Sequence, residues 1–186
     1  SLPEHNEQIF EFLTIARQLK ARLVKPQLED GESFEEHAES LNLPVSIFLL
    51  FCQLEKDRAG YGDEPLWRAE FDATYDLACL LGAGEGPPPA LPKYRVVIVD
   101  ELQDMNPASY ACLEQLLAQG QAFFTGAGDF DQVIHRWAGA DVSFIRSHFG
   151  AGWRNVKRLT LTMTFRHGPA MALATAAFKA KAVVSG

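Results

Sequence analysis

Asp100 and Glu101 stand side by side after the apolar run Val96–Val99. A short β-branched run reads as a central parallel strand. Open α/β sheets hold their ligands at the carboxyl ends of such strands. Two acids there suit a phosphate centre. Asp100 is placed to ligate Mg²⁺, which takes oxygen ligands and keeps several waters. Glu101 is placed to reach the same metal through water and to orient and deprotonate an attacking water. Gln103 and Asp104 follow at once, in position to relay between a nucleotide and neighbouring segments. The plainer alternative is a strand that ends in a solvated acidic turn.

Two further stretches have the same character. Residues 125–141, TGAGDFDQVIHRWAGAD, follow a second short apolar run. Gly126 and Gly128 are expected to let the backbone turn sharply. The Gln132 amide can donate to a phosphate oxygen or hold a water. Trp137 offers a face on which a nucleobase could stack, though ordinary core packing is the plainer reading, and Arg136 reads first as a surface or ion-pair residue. Residues 159–168, LTLTMTFRHG, form a strand pattern ending in Arg166. That arginine could neutralise charge on a transferring phosphoryl group. The alternative is a helix-start arginine paired with a local acid.

The elements that must position these residues differ between the two halves. In the first half Ile9, Phe12, Leu13, Ala16, Leu19 and Leu23 recur at three- and four-residue steps, predicting a helix with one apolar face. Further helices are expected over 34–41, from Val45 to about Asp57 behind Pro44, and over 65–81. Residues 82–92, GAGEGPPPALP, read as a linker, stiff at its three prolines and permissive at its glycines. Beyond it, strands are expected over 94–99, 122–125 and 158–163, with helices over 108–119, 143–149 and 169–180. Alternating strands and helices predict an α/β unit whose helices cover a mostly parallel sheet. Three strands make that sheet incomplete. The expected organisation is a helical lobe over 1–85, a Gly/Pro linker over 86–92 and an α/β unit over 93–186.

Composition narrows the class. Of 186 residues, 47% are hydrophobic and 22% charged, a globular balance. The opening SLPEHNEQIF lacks the basic start of an export signal, and the longest apolar runs are too short to span a bilayer. Cys52, Cys79 and Cys112 are widely spaced and odd in number, which predicts buried thiols in a reducing compartment. The net charge is −7 but unevenly spread. Residues 1–89 hold 7 basic and 17 acidic side chains, whereas 90–186 hold 10 and 7. A phosphate backbone therefore suits the second half and a protein partner the first.

Taken in order, these stretches resemble motifs II, III and IV of UvrD/Rep/PcrA-type superfamily 1A DNA helicases. Asp100-Glu101-Leu102-Gln103-Asp104 followed by Asn106-Pro107 is similar to motif II. Gly128-Asp129-Phe130-Asp131-Gln132, running on through Ile134, Arg136, Trp137, Gly139, Ala140 and Asp141, is similar to motif III. Leu161, Phe165 and Arg166 are similar to motif IV. The resemblance implies an incomplete RecA-like P-loop NTPase sheet, the second part of motor domain 1A, with an all-helical 1B-like lobe. It implies Asp100 on Mg²⁺, Glu101 as catalytic base, and Gln132 as sensor of the ATP γ-phosphate. It also implies Trp137 stacking on single-stranded DNA and Arg166 on the γ-phosphate. Departures from the pattern are His135 where an aromatic is usual, Ala138 where an arginine is usual, Phe130 before Asp131, and Thr164-Phe165 in place of Asn-Tyr.

No G-x-x-x-x-G-K-[ST] phosphate loop occurs in the sequence, and Gly82-Ala83-Gly84-Glu85-Gly86 has no lysine after it. The expectation is therefore a piece of a motor that needs the rest of the motor, its phosphate-loop part and second domain, to turn over ATP. Its parent would move on single-stranded DNA, 3′ to 5′ by resemblance, in a prokaryotic cytoplasm at the nucleoid or in a nucleus, with DNA repair among its pathways. ATP and Mg²⁺ are expected to bind the isolated piece weakly or not at all. The competing expectation is a non-enzymatic DNA- or protein-binding module derived from such a motor.

Overall fold

Helix-forming pattern dominates the first half, and the structure, a computed structural model, describes it over residues 2–28, 31–61 and 64–82, and the second half over 90–141, 143–144, 156–176 and 184–185. Helix α1 spans Leu2–Ala21 and α2 spans Phe34–Ser40. Helix α3 spans Val45–Ala59 behind Pro44, and α4 spans Asp72–Gly82. Ala16, Leu19, Val24, Ala38, Phe48 and Phe51 form the core of α1, α2 and α3. Phe12 and Ile15 pack against it. The apolar face of α1 is thus narrower than its sequence suggested. Ile9 and Leu13 are 56% and 46% exposed, because α2 and α3 cover only the side that carries Ala16 and Leu19.

Local chemistry fixes the helix ends. Ser33 and Glu36 form a reciprocal capping box that starts α2. Leu23, in the left-handed region at φ 62°, closes α1, with Val24 N–H donating to Leu19 O at 2.9 Å. Helix α4 starts at Asp72, seven residues after the expected start. Phe71 sits at φ 71°, and Asp72 Oδ2 accepts from Ala69 N–H at 2.8 Å, so the chain ahead of Asp72 bends instead of coiling.

Asp72 belongs to a buried charged cluster. Lys20 Nζ lies 2.5 Å from Asp72 Oδ1 and 2.7 Å from Glu55 Oε1. Arg58 reaches Glu55 and Asp76, each at 2.7 Å. Burying charges is costly unless they are paired and hydrogen-bonded, and here every cation meets two carboxylates. Burial alone would lower the Arg58 guanidinium, but its bonds to Asp76 and Glu55 push it further up. The cluster ties α1, α3 and α4 together.

In the second half, β1 (Val96–Val99) and β2 (Phe123–Gly126) pair in parallel, with Val96 opposite Phe123 and Val99 opposite Gly126. Helix α5, Pro107–Gly120, connects them. One sheet face, Val97, Val99 and Phe124, packs on Leu102, Met105, Leu113, Leu117 and Phe144. The other leaves Val96, Ile98 and Phe123 exposed. Helix α5 also packs along α4, where Cys112 Sγ donates to Thr74 O at 3.5 Å.

The third expected strand is shorter than its pattern. Only Met163–Thr164, β3, is a strand, and it pairs with β4, Val184–Ser185, not with β1 or β2. Leu159 and Leu161 are 76% and 90% exposed, so no burial holds the preceding residues extended as a strand. Helix α6 spans Pro169–Ala176. The expected helix over 143–149, the linker over 82–92 and the end of the last helix fall mostly outside the described residues. The described residues form a mixed α/β arrangement with two small parallel two-stranded sheets, β1–β2, which is flanked by helices, and β3–β4. Among the described residues no helix is long and apolar enough to cross a membrane.

Candidate functional site

The chain leaves β1 at Asp100 and turns abruptly. Glu101 adopts φ 51° and ψ 45°, a left-handed conformation that few non-glycine residues take. Its N–H donates to Asp100 Oδ1 at 2.9 Å. Both acids are exposed. A one-turn 3₁₀ helix, Leu102–Asp104, follows and buries Leu102 and Gln103. Gln103 Nε2 donates to Glu101 Oε2.

The segment after β2 comes back over this turn. Ala127 N–H donates to Val99 O at 2.9 Å, and Leu102 N–H donates to Ala127 O at 2.8 Å. Asp129 N–H then donates to Gln103 Oε1 at 3.0 Å. The Asp129 carboxylate accepts from Asp131 N–H at 3.1 Å and from Gln132 Nε2 at 3.0 Å. Through side chains and the Asp129 backbone N–H, Glu101, Gln103, Asp129 and Gln132 form one continuous hydrogen-bonded run.

Gly126 and Gly128 serve this approach differently from what their sequence suggested. Neither is among the glycines at positive φ. Gly128 instead leaves room for a neighbour, since a Cβ there would lie 2.9 Å from Gln103 Oε1 and 3.1 Å from Leu102 Cβ. A side chain at 128 would displace the amide that joins the two segments.

A second seam lies further along. Asn106 caps α5, its Oδ1 accepting from Ser109 N–H at 2.9 Å, and its Nδ2 donates to Ala138 O at 3.2 Å. Asp141 N–H donates to Met105 O at 3.2 Å. His135 Nε2 is 3.9 Å from Asp104 Oδ2. Gly139, at φ 78°, sits where a Cβ would come 3.0 Å from Ala21 Cβ, so α1 backs this seam. Arg136 and Trp137 lie in the 3₁₀ turn Arg136–Ala138. Arg136 is exposed, and the Trp137 side chain is outside what the structure describes.

The structure therefore brings Asp100, Glu101, Gln103 and Gln132 to the adjoining ends of β1 and β2, with the Arg136–Ala138 turn attached through Asn106. Arg166 is exposed in the bend after β3. Among the described residues β3 pairs with β4 and not with β1 or β2, so no sheet described there joins Arg166 to the acids. Asn106-Pro107 marks a helix start in the sequence, but the Asn106 bond to Ala138 does not show there, and Asp129 has no role of its own in the sequence reading although Asp-x-Asp is an Asx-turn signal.

Among the described residues no group of three or more His, Cys, Asp or Glu side chains could hold a metal by itself. Two adjacent exposed carboxylates do fit Mg²⁺ as a nucleotide carries it, because that ion takes one or two carboxylates and fills its remaining positions with phosphate oxygens and water. Two open hollows on the helical half, around Asn42 and around Phe10, are lined by none of these residues.

Comparison with known proteins bears on the same segment. Residues 90–149 match the UvrD/REP helicase N-terminal domain family. The match holds Asp100, Glu101, Gln103, Gln132, Arg136 and Trp137, and ends before Arg166. The ATP-dependent DNA helicase PcrA of Bacillus subtilis is 38% identical over 74 residues, which is 40% of this chain and 10% of the relative. PcrA of Staphylococcus epidermidis is 38% identical over the same shares. Over about 40% of its length the chain is homologous to UvrD/PcrA-like superfamily 1A helicases, and the matched part spans about a tenth of those relatives.

Proposed function

We propose that the chain is part of the motor of an ATP-dependent DNA helicase or translocase, with 100–104 acting as motif II, 128–141 as motif III and 161–166 as motif IV. The observation that carries this reading is the hydrogen-bonded run from Glu101 through Gln103 and Asp129 to Gln132. A motor must link the residue that activates water to the residue that senses the γ-phosphate, and here three hydrogen bonds through two intermediate residues join them. Homology to superfamily 1A helicases over the same segment supports it.

In this reading Asp100 holds the Mg²⁺ of the nucleotide, which supplies charge neutralisation at the phosphates. Glu101 accepts the proton of the attacking water while its carboxylate is held from behind by Gln103. Gln132 hydrogen-bonds the γ-phosphate or the water it faces. Arg166 brings positive charge to the transferring group when the remainder of the motor seats it there. Arg136 and Trp137 contact single-stranded DNA, the arginine at phosphate and the indole by stacking on a base. The phosphate loop and its lysine come from elsewhere in the motor. Residues 1–85 act as a 1B-like lobe, joined to the motor sheet through the linker at 86–92, whose net negative charge suits a protein partner.

The test is ATP turnover by the full-length protein with and without single-stranded DNA, beside Glu101→Gln. DNA-stimulated turnover that falls by about 100-fold or more in Glu101→Gln is expected from loss of a catalytic base. A folded protein that binds DNA or protein without turnover would leave the non-enzymatic module standing in its place.

A further inference from the structure

We infer that Gln103 is a positioning residue that sets the Glu101 carboxylate and the Gln132 amide in one linked geometry, using Asp129 as the intermediate. The inference rests on the motor reading and adds the route by which the two functional side chains are coupled.

Gln103 is 2% exposed, deeper than either group it serves. Its amide is used at both ends. Asp129 N–H can only donate, so the acceptor end of the amide, Oε1, must face it. The donor end, Nε2, is then left for Glu101, whose ionised carboxylate can only accept. The orientation of the amide is thus dictated by a backbone group. No other side chain of this size does both jobs. Glutamate accepts but cannot donate when ionised, methionine has the length without the donor, and asparagine is one methylene short.

The receiving end is built with equal economy. Asp129 takes Gln103 through its backbone and Gln132 through its carboxylate, so any displacement of the Gln132 amide is transmitted to the residue that holds Gln103. Gly128 gives the space for this contact. Glu101 sits in left-handed backbone, where its side chain leaves the chain in a fixed direction, and Gln103 supplies the bond that holds the carboxylate. Loss of a γ-phosphate at Gln132 would therefore be felt at Glu101 without any part of the nucleotide touching Gln103.

Two substitutions separate the arms. Gln103→Glu keeps the acceptor for Asp129 N–H but replaces the donor to Glu101 by a carboxylate that repels it, whereas Gln103→Met loses both bonds with little change of volume. Hydrogen exchange at Asp129 N–H is measured first in the 186-residue chain. Exchange about tenfold faster in Gln103→Met, and close to the unaltered rate in Gln103→Glu, is expected from loss of one hydrogen bond. Turnover by the full-length protein is measured second. Both variants are expected to lose about 10- to 100-fold in DNA-stimulated kcat with KM for ATP nearly unchanged, as for a misplaced catalytic group. The ratio of turnover with DNA to turnover without it should collapse toward one in both, because either substitution cuts the route between Gln132 and Glu101. A merely structural role would lower stability and leave that ratio alone. Unchanged exchange at Asp129 in folded Gln103→Met, or an unchanged DNA ratio, overturns the inference. If the unaltered protein shows no DNA-stimulated turnover, the motor reading fails by itself, and the exchange contrast alone then decides whether Gln103 joins the two segments.

Discussion

The side-chain amide of Asn106 donates to the backbone carbonyl of Ala138 at 3.2 Å while its oxygen caps α5. One buried residue therefore holds the start of a helix and the turn that carries Arg136 and Trp137. Asn106→Asp should keep the cap and lose the bridge, at a cost of about 1 kcal/mol. Asn106→Ala should lose both, at about 2 kcal/mol. Urea unfolding of the two variants checks the order: equal costs would mean that the cap contributes nothing, and no cost in Asn106→Asp would mean that the bridge contributes nothing.

Gly128→Ala should destabilise the chain by about 1–3 kcal/mol, as overpacking does. Its new methyl would lie 2.9 Å from Gln103 Oε1. Gly82→Ala is the control, because a Cβ there meets nothing within 4 Å. Thermal unfolding of both decides whether close approach at 128 is as tight as the distances say.

Much of this site could be read from the sequence, and the reasons are specific. Val96–Val99 is β-branched throughout, and it forms the strand β1 that ends at the two acids. Asn106-Pro107 announces a helix start in two residues. The run through Gln103 and Asp129 was half readable. Gln103 stood next to the acids, but its partner is 26 residues away, and nothing local says that a loop after the second strand returns over the first. Residues 65–71 misled for a similar reason. Their apolar spacing is helical, yet Asp72 is drawn inside by Lys20, a partner 52 residues earlier. At 158–163 alternation suggested a strand, but no neighbouring strand pairs with 158–162 among the described residues.

Acid should loosen the helical half through Asp76. Burial alone would raise this carboxyl, but the Arg58 hydrogen bond and charge, joined by Arg68, hold it below its ordinary value of 3.8. A folded-state value below the unfolded one gives stability that is fully present above about 3.8 and is lost as pH falls through the lower folded value. Unfolding midpoints for the unaltered chain should therefore drop more steeply below pH 4 than those of Asp76→Asn. Parallel curves would remove Asp76 from the account.

Gln121 follows α5 in left-handed backbone, at φ 51° and ψ 41°, with its side chain exposed. Gln121→Gly should raise stability by about 0.5–1 kcal/mol, since glycine takes this conformation without steric cost. A calorimetric midpoint that falls instead would show that the Gln121 side chain makes a contact worth more than the strain.

Burial pushes the Cys79 and Cys112 thiols above their ordinary value, so little thiolate forms at neutral pH. Alkylation with an excess of iodoacetamide at pH 7 should label both slowly in the folded chain and at ordinary thiol rates in urea. Fast labelling of Cys112 in the folded chain would show that α4 and α5 part readily there.

The bare side of the β1–β2 pair has a practical consequence. Ile98 and Phe123 are 73% and 80% exposed on neighbouring strands, an oily patch on a chain that otherwise keeps its copies apart by a charge of −7. Repulsion of that kind is screened by salt, while apolar attraction is not. The purified chain should thus have a solubility ceiling that drops as salt is added, and concentrated stocks should keep best in dilute buffer well above the acidic range.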